Sequence, residues 1–312
     1  MIATRCQIPS VMFRFLKHLT IFLILLWAVL TPLDFLLSRR ARESSHPGTE
    51  ALYNILYKQI DADIVIVGSS RAKTQVDPDI LDSVLGTNTY NIGLTGTRID
   101  LQTAAYDLYR SHNKRPDFII HCIDLFSLIP NYEISGRSNY FPFFWDRKFR
   151  KTIFPFINFK LSERFIPLIR YYSSELEQML RRYPKSLRKG YYPIDAEWKS
   201  LEIKPTTFTK GKSFQDIFEK YVERASEEGM RMVFVLPPLY HEKTESLTNL
   251  DEMLDYYTSV GERYGIPLLN YLFLDISKDS ANFFNYNHLN MSGARAFSDT
   301  LAHDLIGITG KL

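Results

Sequence analysis

Hydrophobic positions along the chain fall into two regimes. Leu19 to Leu37 (LTIFLILLWAVLTPLDFLL) is apolar for 19 residues with one charge, Asp34, near its end. A helix of that length reaches about 28 Å, close to the hydrocarbon thickness of a bilayer. No Ala-x-Ala-like site follows it, since Ser38-Arg39-Arg40 comes next, so the pattern favours an uncleaved anchor over a signal peptide. Its apolar circumference is also unlike that of a soluble core helix. Arg5, Arg14 and Lys17 on one side nearly balance Arg39, Arg40 and Arg42 on the other, so charge alone does not orient the span.

Residues 38–49 are polar and read as a linker. Beyond it, short apolar runs alternate with helical spacing. The runs at 63–67, 89–91, 117–123, 230–236 and 266–269 read as strands. Helices are expected over 50–60, 99–109, 214–228, 250–264 and about 292–306. Another starts at Asp77-Pro78, an N-cap with a first-turn proline, and stops at Gly86. Strands that are apolar on both faces and alternate with helices predict an α/β fold, a three-layer α/β/α domain around a parallel sheet. The division expected is 1–18 N-terminus, 19–37 anchor, 38–49 linker and 50–312 domain, with an insertion at about 126–212 that interrupts the pattern.

Charge changes the picture only locally. Lys+Arg number 38 against 35 Asp+Glu, a net charge of +3. From Asp146 to Lys189, however, 12 cations face four acids, leaving the rest of the chain at minus five. Tyr140 to Tyr192 also holds 15 aromatic residues. This segment could stack bases, pack on sugar rings, touch anionic headgroups, or form an aromatic core with a solvated basic face. The near-neutral total gives no reason to expect a nucleic-acid partner. Two cysteines exclude a disulfide framework, and His112, His121 and His241 lack metal-ligand spacing. No phosphate-binding glycine motif occurs, so no cofactor and no metal are expected.

Ligands of such sheets bind at the carboxyl ends of the strands, and three of those ends carry suggestive chemistry. Gly68-Ser69-Ser70-Arg71 follows the first strand, where a serine at a tight turn can be a nucleophile. Asn91-Ile92-Gly93-Leu94-Thr95-Gly96 follows the second, where a glycine lets a backbone N–H approach an oxyanion. Asn285-Tyr286-Asn287-His288 leads into the last helix, where a histidine can deprotonate a serine. Asn290-Met291-Ser292 fits a glycosylation triplet, but helix capping explains it better.

Order, spacing and strand context of these pieces resemble the SGNH/GDSL hydrolase superfamily, in its membrane-anchored, cell-envelope branch. The resemblance spans about 61–123 and 214–305 and implies a flavodoxin-like fold. It implies Ser70 as nucleophile, with Ser69 where many members have Asp, and His288 as base. Gly93 would supply an oxyanion N–H beside that of Ser70, and Asn91 and Arg71 would belong to the substrate side. Two positions depart from the family pattern. Asn285 stands where the third triad carboxylate is expected, and an amide can orient an imidazole without stabilising its charge. The Gly-x-Asn-Asp block is missing, and Asp124 follows the 117–123 run instead. A carboxylate there would repel an oxyanion, so Asp124 is expected to cap its loop, hold Arg71 or support the site from behind.

The expected activity is that of a serine esterase or O-acyltransferase acting on acyl groups of cell-envelope or exported glycans. The partners implied are an acylated glycan, the inner membrane through one helix, and a membrane-bound O-acyltransferase, with the main domain outside the cytoplasm. The alternative is a catalytically degenerate relative that binds glycan or supports such a transferase.

Overall fold

The computed structural model describes residues 10–44, 46–130, 134–171 and 187–310. Arg5 and the rest of residues 1–9, and residues 172–186 of the expected insertion, lie outside the described residues. Five strands, β1 (Ile64–Gly68), β2 (Thr89–Asn91), β3 (Phe118–Cys122), β4 (Arg231–Leu236) and β5 (Leu268–Asn270), form one all-parallel sheet. Their order is β2-β1-β3-β4-β5. Side chains alternate across it as the pleat requires. Val65, Val67, Ile119 and Phe234 enter one core, and Ile64, Ile66, Ile120 and Val235 enter the other.

Helices cover both faces, which is why the strands read as unbroken apolar runs. The first face carries α2 (Pro47–Tyr57), α5 (Ile99–Arg110), α8 (Lys212–Glu227) and α10 (Leu250–Tyr264). The second carries α3 (Ser70–Gln75), α4 (Pro78–Leu85) and α11 (Met291–Thr309). The three-layer α/β/α expectation holds. Asp77 caps α4 by accepting from the Asp79 N–H at 3.1 Å, and Gly86 ends it with φ 68°, as the sequence predicts.

Several boundaries differ from the sequence reading. Helix α1 (Ser10–Arg42) continues through the first five residues of the expected linker, so only 43–46 separate it from α2. Helix α2 starts at Pro47, ahead of the expected residue 50, because His46 caps it through Nδ1, 3.2 Å from the Gly48 N–H. Histidine is a rare cap and gives no sequence signal. The edge strand β5 is short and begins at Leu268, not 266. The Asn285–His288 region, expected as a loop, is a hairpin of β6 (Phe283–Asn285) and β7 (His288–Leu289).

Among its described residues the aromatic segment adds no strand to the sheet. The stretch 134–171 holds α6 (Arg147–Thr152), α7 (Leu161–Phe165) and short 3-10 turns. Phe141, Phe143, Phe144, Phe149 and Phe159 join the core beneath α2 and α5, while Arg147, Lys148, Arg150 and Lys151 stay exposed. These rings therefore make an aromatic core, with the basic side chains on its outer face.

One glycine fixes the route from the sheet to the site. Gly68 ends β1 at φ 153°, and a Cβ there would lie 2.7 Å from the Cys122 carbonyl and 2.8 Å from Ala72 Cβ. Strand β3 and helix α3 thus approach β1 only because position 68 has no side chain. Gly68→Ala should lower stability by about 1–3 kcal/mol, the usual cost of overpacking. Thermal unfolding of the purified chain checks this, with Gly86→Ala, where a Cβ would meet nothing within 4 Å, separating the overpacking cost from the backbone strain both positions share.

Candidate active site

The turn after Gly68 places a serine at the start of α3. Ser69 caps that helix, its Oγ accepting from the Arg71 N–H at 3.2 Å, and Ser70 is its first residue. Helix α11 holds α3 from behind, with the Ser298 hydroxyl donating to the Gln75 carbonyl at 3.2 Å and accepting from the Asp77 N–H at 2.8 Å. Ser70 is thereby fixed at the carboxyl edge of the sheet.

The β6–β7 hairpin brings the other two residues. Ser70 Oγ lies 2.9 Å from His288 Nε2, and His288 Nδ1 lies 3.0 Å from Asn285 Oδ1. The same Oδ1 accepts the backbone N–H groups of Asn287 at 2.9 Å and His288 at 3.0 Å. Two backbone donors converge on one atom, so that atom must be the amide oxygen. The Asn285 orientation then dictates the tautomer: Nδ1 carries the proton, and Nε2 presents its lone pair to the Ser70 hydroxyl. Gln75 Nε2 donates to the Asn287 carbonyl at 2.9 Å and pins the hairpin tip to α3. Gln75 carries no sequence signal, because its partner is 212 residues away.

Beneath the serine sits an ion pair. Arg71 Nη1 meets Asp124 Oδ1 at 2.9 Å with both side chains fully buried, and Nη2 donates to the carbonyls of Pro237 and, at 3.3 Å, Pro238. Desolvation raises the Asp124 carboxyl above its usual range, opposed by the Arg71 charge. Desolvation first, then the Arg71 charge, pushes His288 down to about 4. The imidazole is therefore neutral at neutral pH and ready to accept a proton.

The second loop departs from expectation. The Gly93 N–H donates to Asn91 Oδ1 at 2.9 Å, so the amide expected to face an oxyanion is already paired. Asn91 Nδ2 donates to the carbonyls of Ala72, 2.8 Å, and Val76, 3.0 Å, tying the loop to the end of α3. Asn91 is buried and structural, and so is Gly93, where a Cβ would lie 2.8 Å from the Lys73 nitrogen. Of the expected site residues, the structure brings together Ser70, His288 and Asn285. It places Arg71 and Asp124 under them, and Asn91 and Gly93 behind α3. Asn290 caps α11 by accepting from the Gly293 N–H at 3.0 Å. Among the described residues no cluster of metal-ligating side chains occurs.

No family model matches the chain, and no curated protein matches it in sequence. Among solved structures it is similar to a protein described as a lipolytic member of the G-D-S-L family from Desulfitobacterium hafniense. That match has 12% identity, covers 78% of this chain and 99% of that one, and has a TM-score of 0.41. An acetyl xylan esterase matches with 11% identity over 78% of this chain and 99% of its own, TM-score 0.42. A family two carbohydrate esterase from Clostridium thermocellum, in complex with cellohexaose, matches with 11% identity over 82% and 66%, TM-score 0.40.

The tautomer and the depressed imidazole set a pH dependence. His288 accepts a proton only while neutral, so any Ser70-dependent turnover should persist to about pH 5 and fall through about 4. Asn285→Asp places a carboxylate against Nδ1–H, stabilises the imidazolium and should move that acid limb upward. Stability follows the same group. The unfolded imidazole titrates near 6.5 and the folded one near 4, so its contribution is complete above about 6.5 and is lost as pH falls from there to 4. A pH–rate profile of both forms, with thermal midpoints measured alongside, checks both statements.

With the sheet order and the Ser70–His288–Asn285 geometry in place, the chain has a three-layer α/β/α fold that gathers a serine, a histidine and an asparagine at the carboxyl edge of its parallel sheet.

Proposed function

We propose that the chain is a membrane-anchored serine esterase or O-acyltransferase acting on acetyl or similar esters of glycans, with its α/β domain on the extracytoplasmic side. One observation carries this reading: the 2.9 Å contact between Ser70 Oγ and His288 Nε2, with the imidazole fixed by Asn285. His288 takes the Ser70 proton as Oγ attacks the ester carbonyl. The oxyanion forms beside the first turn of α3, where the Ser70 N–H points out of the helix start. The proton returns from His288 to the departing sugar oxygen, leaving acyl-Ser70. Water or a sugar hydroxyl, deprotonated by His288, then releases the acyl group, so hydrolysis and transfer share every step up to that intermediate.

Asn285 orients the base without a charge to stabilise the imidazolium, and Gly93 is spent on Asn91, so turnover is slow for this chemistry. In serine proteases the comparable amide costs about four orders of magnitude. Half-buried Trp198, Tyr240 and Tyr286 support a carbohydrate substrate: Tyr240 packs at a tilt against Trp198 with centroids 4.7 Å apart and donates its N–H to the Tyr286 carbonyl in the hairpin turn.

A fluorophosphonate probe tests the assignment. Wild type and Ser69→Ala should label, Ser70→Ala should not, and Ser70→Ala should lose at least about a thousandfold in turnover of an acetylated oligosaccharide. Equal labelling of all three, or none with all three folded, contradicts it.

A further inference from the structure

Helix α1 is apolar enough to cross a membrane, with mean hydropathy 2.2 and almost no burial inside the protein. Its single acid is nevertheless fully buried. Asp34 accepts from the Trp145 indole at 2.8 Å, from the Leu168 N–H at 2.6 Å and from the Arg170 guanidinium. Arg170 in turn lies 3.9 Å over the Phe144 ring. A carboxylate at membrane depth is tolerated when paired in this way. The pairing shows which part of the domain reaches the span: the segment around α6 and α7.

The same segment reaches deeper. Trp27 lies seven residues before Asp34, about 10 Å further along the helix axis, and its indole donates to the Phe165 carbonyl at 3.0 Å. Leu36, on the opposite side of these turns, and Leu33 and Phe35 on their flanks are exposed, so the turns themselves belong in lipid. The segment at their level shows apolar side chains to the outside as well: Leu161, Phe165 and Ile166 are 72%, 69% and 51% exposed. Around them Arg147, Lys148, Arg150, Lys151, Lys160 and Arg164 are exposed. The acids of 145–170 are Asp146, which caps α6, and Glu163, which is buried.

We propose that residues 145–170 form a collar inserted into the same leaflet as the C-terminal half of α1. Leu161, Phe165 and Ile166 sit among the acyl chains, and the surrounding arginines and lysines meet anionic phospholipid headgroups. The inference rests on the reading of α1 as a membrane anchor. Its physics is that of an interfacial amphipathic element with basic flanks. The collar fixes the height of the domain: 134–145, which precedes it, packs against α1, α2 and the Gly96 turn, so the site-bearing edge of the sheet is held close to the lipid surface.

The test uses the full chain in nanodiscs of phosphatidylcholine and phosphatidylglycerol, in a Cys6→Ser background; Cys122 is buried. Ile166→Cys, Leu25→Cys on the exposed face of α1 and Ile306→Cys on α11, each bearing an environment-sensitive fluorophore, are compared. The collar predicts that the probes at 25 and 166 are quenched by spin labels on the acyl chains and shielded from iodide, with the reverse at 306. It also predicts about twofold stronger quenching at 166 by spin-labelled phosphatidylglycerol than by spin-labelled phosphatidylcholine. A probe at 166 that behaves like 306 while 25 is quenched overturns the collar and leaves the anchor standing. If 25 is also unquenched, both fall. Equal quenching at 166 by the two lipids overturns the headgroup assignment.

Discussion

Arg71 and Asp124 are removed from water together, 2.9 Å apart, at the point where β1, β3 and β4 release their chains. Burying two charges costs several kcal/mol per ion unless the remaining donors and acceptors are met. Here the carbonyls of Pro237 and Pro238 take up one end of the guanidinium, while Arg71 Nε and Asp124 Oδ2 stay buried with no hydrogen-bond partner among the described residues. The pair therefore joins the first turn of α3 to the ends of two neighbouring strands. Removing either partner would leave a bare charge in the core, at about 3–5 kcal/mol. The Arg71 charge is also felt by His288, which it helps to keep neutral. Structure and chemistry at this edge depend on the same contact.

Above that base the site works through an amide rather than a charge. Asn285 uses one oxygen to accept two backbone N–H groups and the imidazole N–H, so the hairpin turn and the tautomer are set by the same atom. A carboxylate in this place would do both and stabilise a cation as well. The site is thus organised for proton abstraction with a weak provision for the charge that results. Helix α1 adds a second constraint, because Asp34 ties it to the aromatic segment that shares a core with α2 and α5.

Much of this was legible in the sequence. Unbroken apolar runs marked the strands, Asp77-Pro78 and Gly86 bracketed α4, and Ser70, Asn285 and His288 were identifiable from their places at strand ends. What was not legible depends on contacts between distant residues. Capping by His46 has no propensity signature, and the Gln75–Asn287 link spans 212 positions. The pairing of Gly93 has no sequence signal, because its context is the same whether its N–H faces a ligand or Asn91; only the fold decides. The basic charge of 146–170 is visible in the sequence, but its placement beside α1 depends on Asp34 finding Arg170.

The central claim is that Asn285 holds a neutral His288 with its proton on Nδ1 and its lone pair toward Ser70. Nitrogen NMR of the chain labelled at histidine, with the His288 signals assigned by loss in His288→Gln, reads this state directly. The account predicts a protonated Nδ1 and an unprotonated Nε2 that stay so from neutral pH down to about 5, with protonation near 4. A proton on Nε2, or titration near the ordinary value of 6.5, would contradict it.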